Sequence, residues 1–366
     1  LKPFWLKPQS PASGRTRPCC PQLSAERACG WHTVEKRWGR HVDPVREPDI
    51  MAVAAVGGVV RPQARSLCSA ARAALGPQRL RLTLGAHCVP KSIDGPGEDA
   101  FFASHPLAAF GLADGVGSWS RVGIDAGLFS RTLLRHAHRE MQRRAVGTPR
   151  LPNLPETVRL AFEAVREEQV LGSCTLLLAQ MHMNMLSVLN FGDSGIVAFR
   201  PFLVQSKFVG GTPEPALRII YRSTPMLHRP NLPLQLSHQD ASDMSVLEPY
   251  DLVTLRVRPG DIIVAGTDGL FDNVGERELK SLVLPHSDLY AKQRDSRERA
   301  SDLADRIAQR AAEIARSPYE FGGGGKLDDI AVVVGHVGET SHTVSGSLMD
   351  NFAVDGGTQP AAESAA

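Results

Sequence analysis

The chain has 366 residues, 42% hydrophobic and 22% charged, a globular composition that excludes wholesale disorder. Six Cys without a CxxC pair exclude a disulfide scaffold, and the longest apolar run, 51–60, is too short to cross a bilayer as a helix. The net charge of +2 hides a division: residues 1–93 hold 15 Lys or Arg against five Asp or Glu, and residues 94–366 hold 26 against 34. So acidic a body disfavours a nucleic-acid phosphate groove and suits a protein that holds divalent cations.

Residues 1–50 show neither helical nor strand periodicity and read as a disordered extension. Residues 51–93 are rich in Ala, Arg and Ser with no acidic residue, the composition of a mitochondrial transit peptide. A secretory signal would place its charges before the apolar run, whereas Arg61 follows it. The folded domain is expected over 94–338. Within it, 110–113 reads as a short strand ending in Asp114-Gly115. Leu128, Phe129, Leu133, Leu134 and Met141 recur with helical spacing in 126–146, as do Val158, Phe162 and Val165 in 156–170. Strand-like runs follow at 174–179, 186–191, 196–199, 252–257 and 262–265. Met181 to Met185 lies between two of them and reads as a hairpin turn. A helix over 301–316 turns Leu303, Ile307 and Ile314 inward, and 330–337 is a last strand. Strands in direct succession argue against an alternating parallel sheet, and packed antiparallel sheets flanked by helices, an α+β class, fit the order. The tail 339–366, rich in Gly, Ser, Thr and Ala, reads as disordered.

One pattern recurs: an apolar strand that ends in Asp, usually followed by Gly or a second polar residue. It appears at Glu98-Asp99, Asp114-Gly115, Asp193-Ser194, Asp268-Gly269 and Asp328-Asp329. A carboxylate at a strand end, with Gly supplying the turn, can be aimed into a shared pocket. Each Asp-Gly alone is an ordinary turn. Five together, converging, would repel one another unless cations neutralise them. Oxygen donors without His or Cys indicate hard ions such as Mg²⁺ or Mn²⁺. Two such ions sharing a carboxylate acidify water and clamp phosphate oxygens, which is phosphoryl-transfer chemistry.

In this order, Gly97-Glu98-Asp99-Ala100, Ala113-Asp114-Gly115-Val116-Gly117, Gly172-Ser173-Cys174-Thr175, Asn190 to Gly195, Thr267 to Asn273 and Asp328 to Val332 resemble the metal-dependent protein serine/threonine phosphatases of PPM type (protein phosphatase 2C). Gly117-Ser118-Trp119, Phe129-Ser130, Gln235-Leu236-Ser237 and Gly266 to Val274 resemble the mitochondrial branch that contains the T-cell-activation phosphatase homolog. The resemblance implies a four-layer αββα fold, a central antiparallel β-sandwich with helices on both outer faces and metals in a cleft at one end. It implies that Asp114 bridges two Mn²⁺ or Mg²⁺ ions, that the Gly115 carbonyl binds one, and that Asp268 and Asp328 hold the other. Glu98 and Asp99 would orient water, and Asp193 would stand near a third, weaker ion. Asp329, Asp272 and Asn273 read as turn residues beside the ligands, and Lys326, after a run of four glycines, as a candidate for substrate contact.

The implied activity is hydrolysis of phosphoserine and phosphothreonine by a hydroxide held between the two ions, without a phosphoenzyme. The implied partners are phosphoproteins of the mitochondrial matrix, including enzymes of ubiquinone biosynthesis, and neither nucleic acid nor a transmembrane segment is expected. Two positions depart from the family: Val116 stands where many members have His, and Asp94 where many have a phosphate-gripping Arg, with Lys91 the nearest cation. Those departures motivate a second reading, a pseudophosphatase that binds phosphoproteins without turnover. The Pro-rich stretch 201–249 falls where the family has a variable flap beside the cleft, read here as selecting substrates.

Overall fold

The computed structural model describes residues 80–92, 95, 97–146, 152–206, 211–240, 250–290, 295–317, 325–340 and the backbone of 351–353, all within the unit 65–366. The expected extension 1–50, most of the expected leader, Asp94 and the four glycines' first three members lie outside the described residues. In chain order come β1 (Leu80–Val89), β2 (Asp99–Ser104), β3 (Ala109–Asp114), α1 (Ala126–Ala145), α2 (Leu154–Glu167), β4 (Ser173–Cys174), β5 (Leu176–His182), β6 (Met185–Phe191) and β7 (Gly195–Val204). Then follow β8 (Glu214–Arg222), β9 (Leu227–Arg229), β10 (Leu232–Pro233), β11 (Leu236–Ser237), β12 (Asp251–Arg256) and β13 (Ile262–Gly266). The last are α3 (Asp268–Phe271), α4 (Glu276–Val283), α5 (Ser296–Ala315), β14 (Ile330–Glu339) and β15 (Asn351–Ala353).

Two antiparallel sheets carry the fold, one ordered β1-β14-β13-β7-β8 and the other β12-β6-β5-β3-β2-β15. Their central strands are apolar on both faces because both faces are covered, and the period of two divides them cleanly. Phe101, Leu112, Leu177, Val333 and Ala265 meet between the sheets. Their chain neighbours turn the other way: Phe102, Leu176 and Leu178 pack under α1 and α2, while Val264, Val332 and Val334 pack under α5. Helix, sheet, sheet and helix make the four-layer αββα arrangement that the resemblance implied.

Local chemistry sets the helix ends. Asn153 caps α2 by accepting from the Glu156 amide at 3.3 Å, and Asp295 caps α5 by accepting from the Arg297 amide at 3.0 Å. That cap starts α5 at Ser296, five residues ahead of the sequence expectation. Leu128 is 45% exposed, so α1 turns Phe129, Leu133 and Leu134 inward without it. Met183, at φ 56°, makes the β5–β6 turn where a hairpin was expected, with His182 opposite Met185.

Three boundaries need correction. The expected leader, 51–93, includes β1, which pairs with β14 along its whole length and packs Leu82 and Leu84 into the inter-sheet core. Its alternation was hidden by the Arg- and Ala-rich residues before it. The stretch 201–249, read as a flap, contains β8, an edge strand of the first sheet. The tail expected to be disordered from 339 contributes β15, whose backbone pairs with β2. Among the described residues no helix is long and apolar enough to cross a membrane.

Candidate active site

In an antiparallel sheet the end of one strand and the start of its neighbour meet at the same edge. Asp99 opens β2 and Asp114 closes β3, and the two are register partners. In the other sheet Gly266, at the end of β13, pairs with Val332 near the start of β14, which brings Asp268 beside Asp328. Asp193 follows β6. The two sheets present these edges to one cavity of about 650 Å³. Glu98, Asp114, Asp193, Asp268, Asp272 and Asp328 line it, together with Lys91, Lys326, Gly115 and Val116.

The backbone around Asp114 leaves little freedom. The Gly115 amide donates to the Glu98 carbonyl at 3.1 Å and the Thr175 amide to the Asp114 carbonyl at 2.9 Å, while the Asp114 amide donates to Thr175 Oγ1 at 3.2 Å. A Cβ on Gly115 would lie 2.6 Å from the Ala126 carbonyl oxygen and 2.7 Å from that of Glu98, so this site demands glycine. Ser130 Oγ, on α1, donates to the Glu98 carbonyl at 2.7 Å.

Charge crowds here. Burial, then the charges of Asp99, Asp268, Asp328 and Asp193, hold the Asp114 carboxyl well above its ordinary range. Burial followed by Asp329 does the same to Asp99, and burial followed by Asp268 raises Asp328. Asp193 is pushed up to about 6 by burial and by Asp268. Two ammonium groups answer this charge. Lys326 Nζ bonds Asp268, reaches Asp272 at 2.9 Å and approaches Asp328 at 3.4 Å. Lys91 Nζ bonds Glu98 and lies 3.8 Å from Asp328 and 3.6 Å from Asp329. Burial pulls both lysines down, but their carboxylate partners hold them above the ordinary lysine range.

The compensation is incomplete. Asp268 Oδ1, Asp193 Oδ1 and Asp99 Oδ1 are buried with no hydrogen-bond partner among the described residues, a costly state for a carboxylate. Oxygen-only donors with orphaned lone pairs fit hard divalent cations. Among the described residues no three acidic, His or Cys side chains already stand at ligating distances, and lysines sit among the carboxylates. The donor set fits; its present spacing is that of a lysine-neutralised cluster.

The residues expected at the site thus divide. Asp114, Gly115, Glu98, Asp193, Asp268, Asp328, Asp272 and Lys326 share the cavity. Asp99 lies buried behind it, accepting from Thr267 Oγ1 at 2.7 Å. Asp329, read as a turn residue beside the ligands, faces away from the cavity: its two oxygens accept the Lys91 amide at 2.7 Å and the Glu98 amide at 2.8 Å. Asn273 exchanges hydrogen bonds with the Lys326 backbone, 2.9 Å each way, and so fixes the loop that carries that lysine. Sequence reasoning missed Thr267 and Thr175 as supports, although both lie within the quoted motifs.

The family profile described as Stage II sporulation protein E (SpoIIE) matches residues 107–338. The probable protein phosphatase 2C BIPP2C1 of Oryza sativa subsp. japonica is 33% identical over 262 residues, 67% of this chain and 40% of that protein. The protein phosphatase PTC7 homolog fig of Drosophila yakuba is 31% identical over 271 residues, 66% of this chain and 76% of that one. The X-ray structure of the photosystem II phosphatase PBCP shares the fold, with a TM-score of 0.51 at 24% identity over 70% of this chain and 98% of that one. This chain therefore spans less than half of the rice relative's length. Profile, relatives and architecture agree, and the chain belongs to the PPM-type, or protein phosphatase 2C, family.

Proposed function

We propose that the chain is a divalent-cation-dependent protein serine/threonine phosphatase, with Mn²⁺ or Mg²⁺ as the ion. The observation that carries this reading is the cavity itself: six carboxylates line it, and Asp193 and Asp268 each keep a buried, unpartnered oxygen there. Asp114 and the Gly115 carbonyl would hold one ion, Asp114, Asp268 and Asp328 a second, and Asp193 a third, weaker one. Two such ions, when bound, supply Lewis acidity that acidifies water and polarises phosphoryl oxygens.

The chain's own groups do the rest. Glu98 offers acceptor oxygens that would orient water, and Asp99, buried behind the cavity and bonded to Thr267 Oγ1, would act from behind it. Lys326 and Lys91, the ammonium groups that line the cavity, would provide positive charge for the phosphate in place of an Arg. The Val116 side chain has no proton to give, so the leaving alkoxide takes its proton from water in the open cleft. A cysteinyl-phosphate route lacks a nucleophile among the described residues, since neither of their two cysteines, Cys88 and Cys174, lines the cavity and burial pushes both thiols up. The substrates would be phosphoproteins. The acid-free, Arg-rich composition of 51–79 supports import into the mitochondrial matrix, with the leader confined to those residues. Ubiquinone-biosynthesis enzymes are the substrates that the branch resemblance suggests.

The test is hydrolysis of a phosphothreonine peptide by the full chain with Mn²⁺, alongside calorimetric Mn²⁺ binding. Chelator should abolish turnover. Asp268→Asn should lower it about a hundredfold or more, because even groups that only support metal ligands act on a 10–100-fold scale, and should weaken Mn²⁺ binding in parallel. Chelator-insensitive turnover would overturn the reading. Tight phosphopeptide binding without hydrolysis at saturating Mn²⁺ would replace it with a phosphoprotein-binding scaffold.

A further inference from the structure

The cavity has two unlike walls. One carries the carboxylates and lysines. The other is the β9–β10 hairpin, whose Pro225, Leu227, Leu232 and Pro233 line the cavity with Phe271 and Val116. The hairpin is mounted on the loops that carry the acids. The Met226 amide donates to the Gly192 carbonyl at 2.8 Å, next to Asp193, and the Leu234 amide to the Met226 carbonyl at 2.9 Å. Gln235 Oε1 accepts from Ser173 Oγ at 2.8 Å, and the Ser173 carbonyl accepts from the Val116 amide at 2.9 Å. Asn231 closes the turn at φ 58°, a left-handed conformation that Asn tolerates better than most residues.

An anchored hairpin that leaves Leu227 45% exposed beside a charged cavity is a surface in search of an apolar neighbour. The cavity volume is in the range that encloses a drug-sized ligand, more than a phosphoryl group needs. In an extended peptide successive side chains point to opposite sides. If a phosphorylated Ser or Thr turns toward the carboxylates, the residues next to it in sequence turn away from them, within reach of the hairpin that lines the same cavity.

The geometry points to an apolar specificity subsite: Leu227 and Leu232, flanked by Pro225 and Pro233, take a hydrophobic side chain directly adjacent to the phosphorylated residue of the substrate protein. This rests on the phosphatase reading above and deepens it by naming a substrate class. The hairpin tip also exposes His228 and Arg229, which would instead favour acidic neighbours, so the experiment sets the two against each other.

With the full chain and Mn²⁺, kcat/KM is measured on phosphothreonine peptides carrying Leu, Ser or Asp at both flanking positions. The Leu-flanked peptide should exceed the Ser-flanked one by about tenfold, the scale of partly burying one aliphatic side chain. Leu227→Asp and Leu232→Ser should each reduce that ratio to below about twofold. A wild-type ratio near one, a preference for the Asp-flanked peptide, or a preference that survives both substitutions would overturn the subsite. Para-nitrophenyl phosphate, which has no flanking residues, separates the two readings. If the unaltered chain hydrolyses neither it nor any of the phosphothreonine peptides, the phosphatase reading fails; if it hydrolyses the peptides without flank preference, the subsite alone fails.

Discussion

Neighbouring carboxylates in this chain do different work. Asp328 faces the cavity, while Asp329, 2% exposed, spends both oxygens on the amides of Lys91 and Glu98. It thereby ties the strand-entry loop of one sheet to that of the other. Asp329→Ala leaves those two amides unmatched and should lower stability by about 2–3 kcal/mol, the scale of losing hydrogen bonds to a charged group. Asp329→Asn, which offers one acceptor oxygen, should fall between. Urea midpoints at constant m-value read the difference, and an unchanged Ala midpoint would show that the clamp carries no weight. The Asp-Asp pair is legible in the amino-acid order, but which member faces the cavity is not. Reversal at the start of β14 turns one carboxylate to each side, and the partners that settle Asp329 lie more than 200 residues away.

At the scale of the element, β1 is the instructive case. Gly85 lies in its middle, where a Cβ would overlap the Ala300 carbonyl carbon and the Ser301 amide nitrogen. Those are backbone atoms of α5, which cannot give way as a flexible side chain would. Gly85→Ala should therefore push helix from sheet and cost about 2–3 kcal/mol, as overpacked cores do, read as a lower urea midpoint. A wild-type midpoint would mean that α5 is free to slide on β1. The helices and the central strands were legible because their apolar residues repeat at 3.6 or run continuously. β1 was not, since Arg-rich flanking residues gave it the look of a leader. Nor was β8, whose Pro-rich surroundings read as loop. Both are outer strands whose identity comes from the partner they pair with.

The whole molecule also carries an acid-sensitive core position. His336, in β14, is 4% exposed; burial, then the charge of Arg299, lowers its pKa to about 4 from 6.5, with Asp288 opposing and His286 adding. Unfolded chain takes up a proton below pH 6.5 that the native state refuses until about 4, so stability falls as pH drops through that window. The loss amounts to about 3 kcal/mol at most. His336→Val should remove that share of the slope, read as the difference between wild-type and variant urea midpoints at pH 7 and pH 4.5; parallel curves would refute it. Composition and motif order alone established an acidic α+β body bearing five acidic strand-end motifs, because residue type and local periodicity are written along the chain. Which carboxylates share a cavity, which one turns away, and that a hairpin with Leu227 lines that cavity with them came from the fold, because antiparallel pairing and sheet stacking bring together residues whose separation in the chain says nothing of their separation in space.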